Sequence, residues 1–198
     1  MEALEFLDRV FKRVPSTLPR DFKFESWNHG KKPTSEGFGL LPVSGIDPDK
    51  LIERVMDVEH YVGNVDHVIG SKAIPDDRFP GPNQKRFYQK INVPMLAKLH
   101  QEMVLVDAGT RDGFRLAYWY MLEAETKRLN PKEAARAAYN VGAWLVKDGV
   151  VGYALNSAPR KEDVGRLKFA ALTRGADVAA TKVLKANIEC MVKWTRRS

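Results

Sequence analysis

The stretch FRLAYWYMLEAE, residues 114–125, alternates without a break. Phe114, Leu116, Tyr118, Tyr120 and Leu122 fall on one side of an extended chain. Arg115, Ala117, Trp119, Met121 and Glu123 fall on the other. Successive side chains of a strand point to opposite faces, so this period of two predicts a half-buried antiparallel strand. The Phe114 face is the apolar one on this reading.

The same period runs through the neighbouring segments. KRFYQKINVP (85–94) alternates, KLHQEMVLVDAG (98–109) follows it, and TRDG (110–113) makes the turn into the quoted strand. YNVGAWLVKDGVVGYALNS (139–157) reads as a hairpin closed at Lys147-Asp148-Gly149, with Asp-Gly as the turn signal. Consecutive strands with short turns imply an antiparallel meander. One segment supports two readings. LNPKEAARAAYN (129–140) carries Asn130 as a cap, Pro131 at a first helical position and Glu133 beside it, a local helix signature. It is either a short helix between strands or a strand imposed by tertiary pairing.

Helical periods occupy the two ends. Leu4, Leu7, Phe11 and Val14 are helically spaced, Phe6 and Val10 widen their stripe, and Pro15 and Pro19 end it. Residues 20–37 read as a loop or irregular arm with a short strand at 22–27, and GFGLLPVSG (37–45) is a short apolar run. In IDPDKLIERVMDVEHY (46–61), Asp47 caps a helix and Pro48 suits its first turn, and Gly63-Asn64 ends it. Val65 to Ile74 then reads as a strand and PDDRFPGPN (75–83) as a turn-rich loop. From Asp163 the chain is helical and Ala-rich to its end, with Gly175 placed to kink or split it.

Composition narrows the function. The 32 Lys and Arg exceed the 25 Asp and Glu, for a net charge of +7. The excess is scattered, with short groups at Lys31-Lys32, Arg160-Lys161 and Lys193 to Arg197. It matches no nucleic-acid-binding pattern, so the expected partners do not include nucleic acid. Transient contact with an anionic membrane surface is compatible with it. The single cysteine, Cys190, makes no internal disulfide and reads as a small helix-core residue. The charge-interrupted start MEALEFLDRVFKRV has no signal-peptide core, and no apolar run approaches the roughly 20 residues that span a bilayer. The expected location is cytoplasmic.

Two clusters bear on chemistry. DVEHYVGNVDHV (57–68) gathers Asp57, Glu59, His60, Asp66 and His67. His60 and His67 are seven apart, and Gly63-Asn64 interrupts the helix that would align them. The segment therefore reads as a helix-to-strand junction rather than a metal site. His100 and Glu102 share a strand face, with Asp107 nearby. They form either an acid–base pair in a cavity or a polar outer face opposite Met103 and Leu105. No GxSxG, GxGxxG or P-loop pattern occurs, and no cofactor or metal is expected.

The order of elements is strand, helix, a run of antiparallel strands, then a long terminal helix. Four segments carry a resemblance: DPDKLIERVMDVEHYVGNVDHV (47–68), KRFYQKINVPMLAKLHQEMVLVD (85–107), GAWLVKDGVVGYAL (142–155) and the Ala-rich tail with NIECMVKW (187–194). Over residues 38–196 the chain resembles the START, polyketide-cyclase and birch-allergen superfamily. The resemblance implies an α+β helix-grip fold, a curved antiparallel β-sheet wrapped around a long C-terminal helix. Residues 1–37 would be an N-terminal helix and irregular extension, and 38–198 the helix-grip domain.

It also implies a cavity between sheet and helix that binds or transports a hydrophobic small molecule, a lipid or a lipid-like aromatic compound. Phe114, Leu116, Tyr118, Tyr120 and Trp144 would line it. Met191, Asn140, Asn187 and His100 would complete the set, with Tyr118, Tyr120, Asn140, Asn187 or His100 orienting a polar head. A polyketide cyclase or aromatase using His100 and Glu102 is the enzymatic alternative. A protein-interaction module with a collapsed cavity, its contacts carried by residues 1–37, is the other. No catalytic residue is assigned, and the oligomeric state is left open.

Overall fold

The computed structural model describes residues 2–30, 32–93, 97–174 and 176–197; the side chains of 93, 97, 172–174 and 176–179 lie outside the description. Eight strands among the described residues form one curved sheet. They are β1 (Lys23–Trp27), β2 (Glu36–Val43), β3 (Val68–Ala73), β4 (Gln84–Val93), β5 (Ala97–Arg111), β6 (Phe114–Met121), β7 (Ala135–Lys147) and β8 (Gly149–Pro159). Their order is β1-β2-β8-β7-β6-β5-β4-β3, and every neighbouring pair is antiparallel. The helices are α1 (Glu2–Phe11), α2 (Pro48–Met56), α3 (Glu123–Arg128), α4 (Lys161–Val164), α5 (Arg166–Arg174) and α6 (Ala176–Arg196).

Local chemistry explains most of the boundaries. The β5–β6 turn has Asp112 and Gly113 at φ 51° and 77°, between the paired residues Arg111 and Phe114. Positive φ at both central residues marks a type I′ turn, whose twist suits a hairpin. The second Asp-Gly turn, Asp148-Gly149, joins β7 to β8 between the paired Lys147 and Val150. Asp47 caps α2, its side chain accepting from the Asp49 and Lys50 amides, with Pro48 opening the helix. α2 stops at Met56, earlier than Gly63-Asn64, and a 3₁₀ turn at Val58–His60 follows.

The segment with two readings becomes a strand from Ala135. Asn130 does act as a cap, accepting from the Lys132 amide at 3.1 Å, but it closes only a turn. Beyond it β7 pairs with β8, with β6 and briefly with the start of β5, and this pairing outweighs the helix signature. The alternation expected to run to Glu123 stops at Met121, where α3 begins after Leu122. In the C-terminal segment Gly165, at φ 81°, separates α4 from α5. The expected break at Gly175 lies outside the described residues.

Both faces of the sheet are covered. On the concave face α2 and α6 pack over Met103, Leu105, Ala117, Trp119, Trp144 and Tyr153. On the convex face α1 buries Phe6, Leu7 and Val10 against Phe38, Leu40, Phe114, Leu116 and Leu145. The first 37 residues thus supply an edge strand and one covering layer of the same sheet. Their helix and strand pack directly on the sheet formed by the rest of the chain.

A buried ion pair fastens that layer. Glu36, at the start of β2, is 0% exposed. Its carboxylate accepts from Arg9 Nε at 2.9 Å, from Arg9 Nη2 at 2.6 Å, and from Trp27 Nε1. Burial pushes its pKa up, but the Arg9 and Trp27 hydrogen bonds outweigh that and hold it below the usual carboxylate value. Arg13 stacks on the Trp27 ring 3.8 Å from its centroid, so α1, β1 and β2 meet at one joint.

Candidate functional site

Between the sheet and α6 lies a cavity of about 520 Å³. Its sheet wall includes Phe87, Met103, Leu105, Trp119, Trp144 and Tyr153, and its helix wall Leu184, Asn187 and Met191. Tyr153 packs between two indoles, its ring centroid 4.4 Å from Trp144 and 5.5 Å from Trp119. Glycine makes this wall possible. A Cβ at Gly142, which pairs with Trp119 across β6 and β7, would overlap the Trp119 ring. At Gly39 a Cβ would lie 2.8 Å from the Phe22 ring and 3.5 Å from Leu184 Cβ, so the missing side chain lets α6 approach β2.

Polar groups are few and neutral inside. Trp119 Nε1 donates to Asn140 Oδ1 at 2.8 Å, Asn140 Nδ2 to Gln101 Oε1 at 3.0 Å, and Gln101 Nε2 to Gln89 Oε1 at 3.3 Å. This amide ladder crosses β6, β7, β5 and β4. Thr34 bonds Asn156 Oδ1 and the Ser157 carbonyl, each at 3.1 Å, and also meets the Tyr139 hydroxyl. On α6, Asn187 is 8% exposed and its Oδ1 has no hydrogen-bond partner. Burial raises the Tyr61 and Tyr153 phenols above their usual range, so both are neutral at any working pH.

Asp66 and His67 stand at the rim, where His67 takes a left-handed φ of 62° and lies 3.2 Å from the Asp66 carboxylate. His60 pairs instead with Asp57 at 2.7 Å, one turn back. DVEHYVGNVDHV is therefore a helix-to-strand junction, as its spacing suggests, with Tyr61 and Val65 to Val68 lining the cavity. The Cys190 thiol on α6 is pushed up by burial.

Of the residues singled out in the sequence, Asn140, Trp144, Asn187 and Met191 line the cavity. Phe114, Leu116, Tyr118, Tyr120 and His100 do not. They lie on the convex face, because the lining residues of β5 and β6 have odd numbers in the Met103, Leu105 and Trp119 register. Phe114 and Leu116 are buried against α1, and Tyr118 and Tyr120 flank a second hollow of about 350 Å³ beside Lys32 and Tyr139. Alternation defines two faces without saying which one meets the cavity, and here both faces are apolar. Trp119, Gln101, Gln89 and Tyr153, which the sequence did not single out, line the cavity as well. The signal that could have found Trp119 is a glycine in the facing strand.

His100 and Glu102 share the convex face. Arg86 binds the Glu102 carboxylate, through Nε at 2.9 Å and through Nη2, and also bonds Asp76 at 2.8 Å. The acid–base pair of the cyclase reading thus does not face the cavity. His100 is 1% exposed, its Nδ1 is 3.4 Å from the Tyr88 hydroxyl, and its Nε2 has no partner. Burial lowers its pKa below the usual histidine value; Lys90 and Arg136 push the same way, while Glu133 and Asp163 oppose them. A folded pKa below the unfolded one, about 6.5, means the unfolded chain binds the proton more readily. The stability that neutral His100 contributes is complete above about pH 6.5 and is lost as pH falls through its folded value. Urea midpoints measured from pH 7.5 to 5 are expected to fall for the natural chain and to fall less for His100→Gln. Equal slopes for the two would contradict this.

No protein-family model matches the chain, and no curated protein matches it in sequence. Solved structures do match its fold. A STAR-related lipid transfer protein fragment from Xanthomonas axonopodis is 13% identical with a TM-score of 0.71, over 91% of this chain and 97% of that one. Human STARD10 is 13% identical with a TM-score of 0.73, over 99% of this chain and 82% of that one. Human StAR-related lipid transfer protein 5 is 12% identical with a TM-score of 0.67, over 98% and 96%. The fold is that of the START-like helix-grip domains, and coverage of 98% and 99% takes in the N-terminal layer as well. Among the described residues no helix is long and apolar enough to cross a membrane.

Proposed function

We propose that the chain binds a hydrophobic small molecule, a lipid or a lipid-like aromatic compound, between its sheet and α6. The observation that carries this reading is the 520 Å³ cavity, apolar on both walls and holding a short set of placed amides. Ligand pockets commonly have roughly 300–1,000 Å³ and this same mixture of lining groups. Affinity would come from burying apolar ligand surface, at about 25 cal/mol per Å². Solved structures of the same fold that are named as lipid-transfer proteins support the reading. The net charge of +7 favours encounter with anionic membrane surfaces, where a hydrophobic ligand is taken up or released.

Native mass spectrometry of the purified protein followed by organic extraction tests the proposal. The expected result is a bound mass released as a hydrophobic compound. Ala180→Trp projects an indole from α6 at the cavity lining, and it is expected to lose that mass while its far-UV spectrum is unchanged. A protein that releases nothing, and that takes up no neutral hydrophobic fluorophore, would overturn the proposal.

A further inference from the structure

We infer that the cavity selects ligands whose polar head is uncharged and donates a hydrogen bond, a hydroxyl or N–H group, over ligands bearing a carboxylate, phosphate or sulfate. The inference rests on the cavity being a ligand site and narrows what it takes. The chain has 32 Lys and Arg, yet none of them is among the described residues that line the cavity. Among the described lining residues the groups that could carry charge near a head are Asp66 and His67, both at the rim; the Tyr61 and Tyr153 phenols are neutral, and the Asp66 carboxylate repels an anion. An anionic head drawn inside would shed its water and find no cation, a heavy penalty in an apolar site.

The interior has what a neutral head requires. Asn140 and Gln101 already engage each other and Trp119, so the sheet wall is a fixed, neutral platform. Asn187 on the helix wall is different. It is 8% exposed, and its Oδ1 lacks a partner. Buried polar atoms are nearly always satisfied, so an unmatched acceptor in a cavity wall marks where a ligand donor belongs. Its Oδ1 accepts a hydrogen bond from a ligand donor and carries no charge.

Two matched pairs of probes separate the possibilities: 1-hexadecanol against palmitate, and a steroid alcohol against its sulfate ester. Binding to delipidated protein at pH 7.5 would be read by displacement of a neutral fluorophore. The alcohol is expected to bind at least about tenfold more tightly than its anion in whichever pair fits the cavity. Asn187→Leu is expected to weaken the alcohol about three- to tenfold and to leave hexadecane, which has no head, unaffected. An anion that binds as tightly as its alcohol overturns the inference while leaving the cavity reading intact, and so does an alcohol preference unchanged in Asn187→Leu. If no probe and no fluorophore binds, the cavity reading itself fails.

Discussion

Replacing Arg9 with methionine is expected to destabilise the fold by about 3–5 kcal/mol, measured as the loss in urea unfolding free energy at pH 7. Arg9 donates two hydrogen bonds to a carboxylate that is 0% exposed. Methionine keeps much of the aliphatic stem and removes the charge. Glu36 then stays buried with only Trp27 Nε1 to satisfy it, and an uncompensated buried charge is what makes breaking such a pair costly. The loss should be largest above the carboxylate range and shrink in acid, where Glu36 of the variant takes up a proton. The double variant Arg9→Met/Glu36→Leu, which buries neither charge, should recover most of the stability. A single variant within about 1 kcal/mol of the natural chain would show that the joint between α1 and β2 does not depend on the pair.

The same joint shows why the sequence was read only in part. The stripe of Phe6, Leu7 and Val10 announced an amphipathic helix, and the structure buries all three. What that helix covers was not legible, because Arg9 and Glu36 are 27 residues apart and neither sits in a recognisable pattern. Features set by adjacent residues were legible: the Asp-Gly turns, the Asp47–Pro48 start of α2 and the alternation of β4 to β8. The faces of β6 were not. In a sheet covered on one side only, polarity tells inside from outside; here α1 covers one side and α2 with α6 the other, so Phe114 and Trp119 are both buried. The amide ladder depends on four strands being in register, so Gln89 and Gln101 carried no signal of their own.

Gly142→Ala should be the second costly substitution, at about 2–4 kcal/mol. Its sign runs against local expectation, since alanine normally stabilises a strand relative to glycine by restricting the unfolded chain. Here the added Cβ would overlap the Trp119 ring and lie 2.6 Å from the Ala154 carbonyl oxygen, so the indole has to leave. Leaving breaks the Trp119–Asn140 hydrogen bond, frees Asn140 and Gln101 to turn, and disturbs the contact between Trp119 and Tyr153. Uptake of a neutral hydrophobic fluorophore, the readout of the proposed binding, should fall with stability, because the displaced ring and the loosened amides are both cavity wall.

Gly70→Ala is the control. It too is a strand glycine without positive φ, but its Cβ would meet Lys90 Cβ at an ordinary 3.4 Å, so its effect should stay within about 0.5 kcal/mol. Trp119→Phe in the Gly142→Ala background provides the decisive comparison, since the smaller ring relieves the contact with the indole and leaves only the backbone contact at the Ala154 carbonyl. If the clash is the cause, the two substitutions together cost less than the sum of each alone, with a coupling of at least about 1 kcal/mol. Additive losses would mean that Gly142 matters for some reason other than the space it leaves for Trp119.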